Sequence, residues 1–179
     1  MRKNQISLKP QDVVILLKLI GYGYIKRPPY SQIAKSLEMS QSEVNASVRR
    51  LQAAGLIHGK ELNERPISEA VAEFLIHGVK YMFPPVMGSL SRGKPTSFAA
   101  APLNELLNIG NDPIPVWPDA NGNKKGIAFY PLYSTVPAAS DRDQALYEAL
   151  ALVDAIRSGR ARERKLAERE LLKRIGEKQ

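Results

Sequence analysis

The chain has 179 residues, of which 44% are hydrophobic and 25% charged, and its formal net charge is +8. These values are ordinary for a globular protein and allow a buried hydrophobic core. The absence of cysteine excludes disulfides and cysteine metal sites, and the longest apolar run, residues 13–20, is too short to span a membrane. The first ten residues are polar and lack the apolar stretch of a secretory signal, so we expect a cytoplasmic protein with no membrane contact.

The excess positive charge is concentrated in the N-terminal third of the chain. Residues 1–60 contain ten Lys and Arg against three Asp and Glu, residues 61–140 six against seven, and residues 141–179 ten against eight. A basic segment of this kind suits a partner with a phosphate backbone. Charge alone is also consistent with a segment that is basic only for solubility.

Hydrophobic periodicity predicts three helices in this third, over residues 10–20, 31–38 and 41–54. Pro10 suits the first position of a helix, where its missing N–H costs no hydrogen bond. Ser40 and Glu43 have the spacing of a capping box, in which each side chain accepts a hydrogen bond from the other's backbone N–H. Gly55 is the expected end of the third helix, and Leu56 begins a short predicted strand.

The segment over residues 84–137 has a different character, because it contains nine of the thirteen prolines. The prolines exclude a long helix there. Asn121 and Gly122 favour the turn of a β-hairpin over residues 117–130. The other elements predicted nearby are a helix over residues 67–77, a strand over residues 79–83 and a short helix over residues 103–109.

Two further helices are predicted near the C-terminus, over residues 141–157 and 161–175, with Ser158 and Gly159 between them. Helices this short do not form a core alone. Their apolar residues are therefore expected to pack on the Pro-rich segment, on the N-terminal helices or, by preference, on a second chain. These residues are Leu146, Tyr147, Leu150, Val153, Leu166, Leu171, Leu172 and Ile175.

The predicted fold class is mainly α with small β content. We expect a DNA-binding region over residues 1–83, an irregular Pro- and aromatic-rich region with a hairpin over residues 84–140, and C-terminal helices for dimerisation or partner binding over residues 141–179. The first expectation rests on the second and third helices, whose tight connection behind a first helix is typical of a helix-turn-helix.

The outer face of the third helix follows from its buried face. With Val44, Val48 and Leu51 at the centre of the buried stripe, a rotation of about 100° per residue points the opposite stripe outward. Arg pairs with guanine and Asn with adenine, while small residues permit close approach to DNA. The residues on or beside this face, including two at the helix N-terminus where a phosphate is favoured, are Gln41, Ser42, Asn45, Ala46, Arg49, Arg50 and Ala53. The alternative is a helical hairpin whose outer face is only solvated.

Residues 30–57, YSQIAKSLEMSQSEVNASVRRLQAAGLI, resemble the winged helix-turn-helix of MarR-like bacterial regulators. The likeness lies in Ile33, Ala34 and Leu37 of the second helix, in Ser40 before the third, and in the closing pattern Leu-x-x-x-Gly-Leu-Ile. The resemblance implies a transcriptional regulator that binds specific sequences of duplex DNA, usually as a homodimer.

The chain departs from this resemblance after Gly55. The wing of the family is a two-stranded hairpin with a basic tip, whereas residues 56–63 offer one short strand. The wing is therefore expected to be stunted, or to take residues 79–83 as its second strand. Lys60 and Arg65 are the candidates for phosphate contact.

Catalysis is not indicated by the sequence. The histidines are His58 and His77, and neither has an acidic pair at metal-ligand spacing. Residues 121–126 lack the GxxxxGK[ST] of a phosphate-binding loop and favour a turn. We predict no enzyme activity, no catalytic residue, no cofactor and no metal.

Two alternatives remain open on the sequence. The protein would instead be an antitoxin-like interaction protein that binds a partner protein through its Pro- and aromatic-rich segment, with or without repression of its own operon. In the second alternative, the basic run over residues 160–165 forms a second nucleic-acid patch. The glutamates among and after its cations favour a solvated, salt-bridged face instead.

Overall fold

The computed structural model describes residues 6–23, 27–60, 63–110 and 112–176. It is mainly helical with small sheets, which confirms the predicted fold class at that level. None of the described helices combines the length and apolarity needed to cross a membrane. The elements are α1 (Pro10–Tyr22), α2 (Tyr30–Leu37), α3 (Gln41–Ala53), β1 (Ile57–His58), β2 (Arg65–Pro66), α4 (Ser68–Glu73), α5 (Val79–Met82), β3 (Met87–Pro95), α6 (Leu103–Leu106), β4 (Pro115–Pro118), β5 (Lys124–Phe129), α7 (Val136–Asp141), α8 (Gln144–Ser158) and α9 (Ala161–Gly176).

One predicted strand and one predicted strand pairing are wrong. Residues 79–83 do not form a strand, because a π-helical turn, Phe74–Gly78, carries the α4 helix directly into α5. The predicted hairpin over residues 117–130 has its turn, closed by the Gly122 N–H on the Asp119 carbonyl at 3.0 Å, but β4 and β5 pair in parallel. Both are antiparallel to β3, so β3 supplies the pairing expected between them.

The three strands β3, β4 and β5 close into a small barrel. β3 pairs with β5 over residues 87–93 and with β4 over residues 93–95, so Gly93 lies where the two ladders meet. A Cβ atom at Gly93 would lie 2.0 Å from the Trp117 carbonyl oxygen, and one at Gly122 would lie 2.3 Å from the Gly93 backbone. Only glycine permits backbones to approach this closely.

Helix α1 is at the centre of the molecule. Its side chains are buried around nearly the whole circumference, as expected for a helix that is apolar on all sides. α3 packs on one part of its surface and α8 on another. One continuous hydrophobic core therefore extends from Val13 in α1 to Ile175 in α9.

The C-terminal helices bury most of their apolar residues within their own chain. Leu146, Leu150 and Val153 of α8 are at most 3% exposed, and Leu171 of α9 is 1% exposed. α8 contacts α1, α5, α7 and α9, while Leu172 remains 45% exposed. The apolar surplus that favoured packing on a second chain is therefore used inside this one.

A buried ion pair in α8 joins the barrel to the helical part. Asp154, 2% exposed, accepts hydrogen bonds from Thr96 Oγ1 at 2.8 Å, from Trp117 Nε1 at 2.7 Å and from Arg157 Nη1 at 2.7 Å. Arg157 also donates to the carbonyl of Phe83 at 2.7 Å, at the end of the α4–α5 helix. One pair of side chains thus links the barrel strands, α8 and the end of that helix.

A second ion pair links α1 to the start of α8. Asp143 caps α8 by accepting from the Leu146 N–H at 3.0 Å, and it pairs with Lys18 at 2.6 Å. Partial burial favours a higher pKa of Asp143, but the hydrogen bonds from Lys18 and the Leu146 N–H outweigh it and lower this pKa. A carboxyl group with a lowered folded-state pKa stabilises the fold above its unfolded pKa, and this contribution is lost as the pH falls through the folded-state pKa.

We therefore expect Asp143→Asn to lower the free energy of unfolding by about 1 kcal/mol at neutral pH, since Asn keeps the cap but loses the ion pair. The difference from the native protein should shrink as the pH falls below the ordinary value of 3.8. Urea denaturation at several pH values measures both quantities. A difference that stays constant into acid would contradict the ion-pair contribution. Asp143→Ala, which also removes the cap, should cost about 1 kcal/mol more.

Candidate nucleic-acid interface

The outer face of α3 carries most of the side chains predicted to lie there. Gln41, Ser42, Asn45 and Arg49 are exposed, and Ala46 is half-buried. The opposite face buries the predicted stripe together with Ser47: Val44, Ser47, Val48 and Leu51. A polar, small-residue surface with one free guanidinium is thus held on a rigid helix.

Arg50 does not belong to this surface. Its guanidinium lies against α1, where Nε donates to Asp12 Oδ2 at 2.8 Å and Nη2 donates to Asp12 Oδ1 at 2.7 Å. The same Nη2 lies 2.5 Å from Glu43 Oε1. The hydrogen bonds to Asp12 hold the pKa of Arg50 above its usual range, although partial burial alone would lower it. The prediction that Arg50 flanks the outer face is therefore wrong, because its donors are committed to the buried Asp12 carboxylate.

The capping box predicted at the start of α3 is only half formed. Ser40 Oγ accepts from the Glu43 N–H at 3.1 Å, as expected. The Glu43 carboxylate, however, accepts from Gln11 Nε2 at 3.2 Å and from Arg50. Partial burial raises the pKa of Glu43, but the hydrogen bonds from Arg50 and Gln11 outweigh it and lower the pKa. Glu43 thus fastens α3 to α1 instead of closing its own cap.

The short hairpin after α3 pairs β1 with β2, so residues 79–83 do not supply the second strand. Its loop begins at Gly59, where φ is 93° and a Cβ would lie 2.4 Å from the Asn63 carbonyl oxygen. Gln52 Nε2 of α3 donates to the Gly59 carbonyl at 2.8 Å, which fixes Gly59 to the helix. Lys60 follows and is exposed.

Arg65, the other predicted phosphate contact, is half-buried at the base of the hairpin. Its Nη1 donates to the Gly23 carbonyl at 2.9 Å, beyond the end of α1. This contact ties the second strand to the helices and makes Arg65 a structural residue in this arrangement.

A buried cluster beside it was not predicted from the sequence. Arg27 and Glu64 are each 3% exposed and form an ion pair, and the Tyr30 hydroxyl donates to the same Glu64 carboxylate. The Arg27 guanidinium lies 4.7 Å from the centre of the Tyr30 ring. The cluster fixes the hairpin to the start of α2. The sequence contained one signal of this cluster, the Arg-Pro-Pro-Tyr segment, in which a charged residue precedes two prolines that restrict the backbone.

The turn between α2 and α3 is held by the C-terminal part of the chain. Thr135 Oγ1, at the start of α7, donates to the Leu37 carbonyl at 2.7 Å. Arg142, after α7, pairs with Glu38 at 2.6 Å. Glu38 itself has a left-handed backbone, with φ of 53°.

We expect Glu38→Gly to raise the free energy of unfolding by about 0.5 kcal/mol. Glycine relieves the left-handed strain of roughly 1 kcal/mol, while the lost exposed ion pair and the freer unfolded chain offset part of the gain. Glu38→Gln is the control, because it loses the pair and keeps the strain, and it should not stabilise. Thermal and urea denaturation measure both. A larger loss of unfolding free energy in Glu38→Gly than in Glu38→Gln would mean that the left-handed backbone is not strained.

Three exposed cations of α2, α3 and the hairpin lack carboxylate partners in the described part of the chain. Among the described residues, no Asp or Glu oxygen lies within ion-pair distance of Lys35, Arg49 or Lys60. The nearby Glu38 and Glu43 are occupied by Arg142 and Arg50. The surface of these elements is thus positively charged, which suits an anionic polymer.

Potential metal ligands are not clustered in the part of the chain that the structure describes. No group of three or more His, Asp or Glu side chains there is placed to hold a metal ion, and both histidines are exposed. Residues 119–122 form a turn, as the sequence favoured. Comparison with known proteins adds no further guide: no protein-family model matches the chain, and no curated protein or solved structure shows significant similarity to it.

Proposed function

We propose that α1, α2 and α3 with the hairpin β1–β2 form a winged helix-turn-helix, and that the protein is a sequence-specific, duplex DNA-binding transcriptional regulator. The likeness of residues 30–57 to MarR-like regulators supports this proposal. α3 would enter the major groove, while the loop after β1 would lie over a phosphate backbone.

The observation that carries the proposal is the exposed polar face of α3. Arg49 and Asn45 are one helical turn apart on this face, and their side chains suit guanine and adenine edges respectively. Ser42 and Ala46 leave room for the bases. The Asp12–Arg50 ion pair and the Glu43–Gln11 hydrogen bond fix the orientation of α3 on α1, which a helix that reads bases requires.

Arg49→Ala should cost about 1–3 kcal/mol of binding free energy on a specific site and relax the preference at one base position. Lys60→Ala should weaken binding to all DNA sequences about equally, because a phosphate contact carries no sequence information. Selection of binding sites from a random duplex library, followed by titration at fixed salt, measures both. Equal and unselective losses in the two variants would mean that α3 does not read the bases.

A homodimer is part of this proposal, because paired half-sites give a small module its affinity. The surface that supports it is not on the C-terminal helices. Val86, Met87, Leu90 and Tyr130 lie on or beside the β3–β5 ladder and are each 48% to 60% exposed. The Tyr130 N–H donates to the Val86 carbonyl at 2.9 Å, which places the two side by side. Clustered large apolar side chains on a surface are typical of a protein interface.

The same apolar cluster favours the second candidate function, an antitoxin-like protein that covers this surface with a partner protein. Sedimentation of the purified chain separates the two. A concentration-dependent dimer that Leu90→Glu makes monomeric is the result expected for the homodimer. A chain that is monomeric at tens of micromolar, both free and on DNA, would contradict the homodimer and favour the partner-binding protein.

A further inference from the structure

The end of the barrel nearest the β4–β5 turn carries an unusual arrangement of like charges. Arg92 of β3 and Lys125 of β5 are direct cross-strand partners, and both are exposed. Lys124, the preceding residue at the start of β5, is opposite Gly93 and alternates to the other face of the strand, where it is also exposed. Like charges directly opposite each other on antiparallel strands destabilise a sheet. This arrangement therefore opposes the stability of the barrel on which it lies.

The three cations have no carboxylate partner in the described part of the chain. Arg92 donates to the Gly122 carbonyl at 3.3 Å, and the Asp119 carboxylate of the same turn accepts from the Asn121 N–H at 2.9 Å. Several other cations of the chain are in ion pairs: Lys18, Arg27, Arg50, Lys94, Arg142, Arg157 and Arg174. Repulsion without internal neutralisation is what a surface for an external anion requires.

The barrel end is also rigid. Gly122 is buried and packs so closely on Gly93 that a side chain would not fit between the turn and β3. The Asp119 N–H donates to the Arg92 carbonyl at 3.1 Å, which fixes the turn to the strand that carries the guanidinium. The cations are therefore held on a fixed backbone, and less conformational entropy is lost when they bind a partner.

A chain of contacts connects this basic end to the α2–α3 turn. Lys94 lies two residues after Arg92, hence on the same face of β3, and it pairs with Asp141 of α7 at 2.8 Å. The next residue, Arg142, pairs with Glu38 in the turn. Two ion pairs thus join the basic end of the barrel to the turn that precedes α3.

We propose that Arg92 and Lys125, with Lys124 beside them at the end of the strand, form a second binding site for the phosphate backbone of duplex DNA, alongside the segment contacted by α3. This inference rests on the proposed function, since α3 brings the duplex to the protein. The site recognises phosphate charge and not bases. It would extend the contact along the duplex without adding sequence information.

The test uses the full chain and a fluorescent duplex of about 30 base pairs, or roughly three helical turns, titrated across salt concentrations. The magnitude of the slope of log binding constant against log salt concentration falls by about 0.9 for each lost phosphate contact. We therefore expect the slope of R92Q/K124Q/K125Q to be smaller in magnitude by about 2 to 3, and its binding at low salt to be at least tenfold weaker. The matched control R162Q/K165Q/R169Q removes the same charge from exposed residues of α9 and should change the slope by less than about 1.

The outcomes separate this inference from the proposed function. A barrel variant with the native slope and affinity, in a protein whose site preference still depends on Arg49, overturns the second site alone. Equal losses in the barrel and α9 variants also overturn it, because net charge would then explain them. Absence of salt-dependent duplex binding by the native chain overturns both. The melting temperature of the barrel variant should be unchanged or raised, since a repulsion is removed, and K124Q/K125Q repeats the test with the Arg92–Gly122 hydrogen bond intact.

Discussion

Replacing Arg50 by methionine should lower the free energy of unfolding by about 3 kcal/mol. The substitution leaves the carboxylate of Asp12, whose side chain is 1% exposed, without its charge partner, and breaking a buried ion pair from one side costs about 3–5 kcal/mol. The lower end is expected because Ser47 Oγ and the Lys9 N–H still donate to Asp12 at 2.7 and 2.8 Å. Urea denaturation followed by circular dichroism measures the change.

The neighbouring residue provides a matched control. Arg49→Met removes the same charge from an exposed position and should change stability by no more than about 0.5 kcal/mol. The two variants should therefore show opposite defects. Arg50→Met should lose stability, whereas Arg49→Met should stay folded and lose its preference for a specific DNA site. If Arg50→Met is as stable as Arg49→Met, the guanidinium does not hold α3 to α1.

Arg157→Met should have an effect at least as large, about 3–5 kcal/mol, because it leaves the buried Asp154 carboxylate without its charge partner and with only the hydrogen bonds from Thr96 and Trp117. The variant also loses the hydrogen bonds to the Phe83 carbonyl at 2.7 Å and the Pro84 carbonyl at 3.1 Å. Since these contacts join the barrel to the helices, near-ultraviolet dichroism of the buried Trp117 should change together with stability.

Arg160→Met is the control for this second variant. Its side chain is 81% exposed and makes a 3.4 Å ion pair with Asp112, which is 71% exposed, so its loss should cost less than about 0.5 kcal/mol. A similar small cost for Arg157→Met would contradict the role of the pair as the link between barrel and helices.

The helices of the fold were predictable because they depend on local patterns. Apolar spacing located α1, α2, α3, α8 and α9 to within a few residues, and rotation along α3 identified Asn45 and Arg49 as exposed. The same rotation misplaced Arg50, because the side chain bends back to a carboxylate 38 residues earlier in the chain. No local pattern in α3 contains that partner.

The barrel was less predictable, because its pairings are not local. A turn of five residues normally joins antiparallel strands, whereas β4 and β5 pair in parallel because each is antiparallel to β3 and the barrel closes. One signal was nevertheless present. Asp154 interrupts an otherwise apolar stretch of α8, and an acidic residue there requires donors from elsewhere in the fold.

The central position of α1 has a consequence for the order in which the newly made chain folds. α1 leaves the ribosome before α8, which covers part of its surface and ends only at Ser158. Until then α1 has no partner for that apolar surface, and chains in this state are prone to aggregate. We expect chains that stop before α8, or that lack residues 141–179, to expose α1 and to be bound by chaperones, so the N-terminal module should not be obtainable as a soluble fragment.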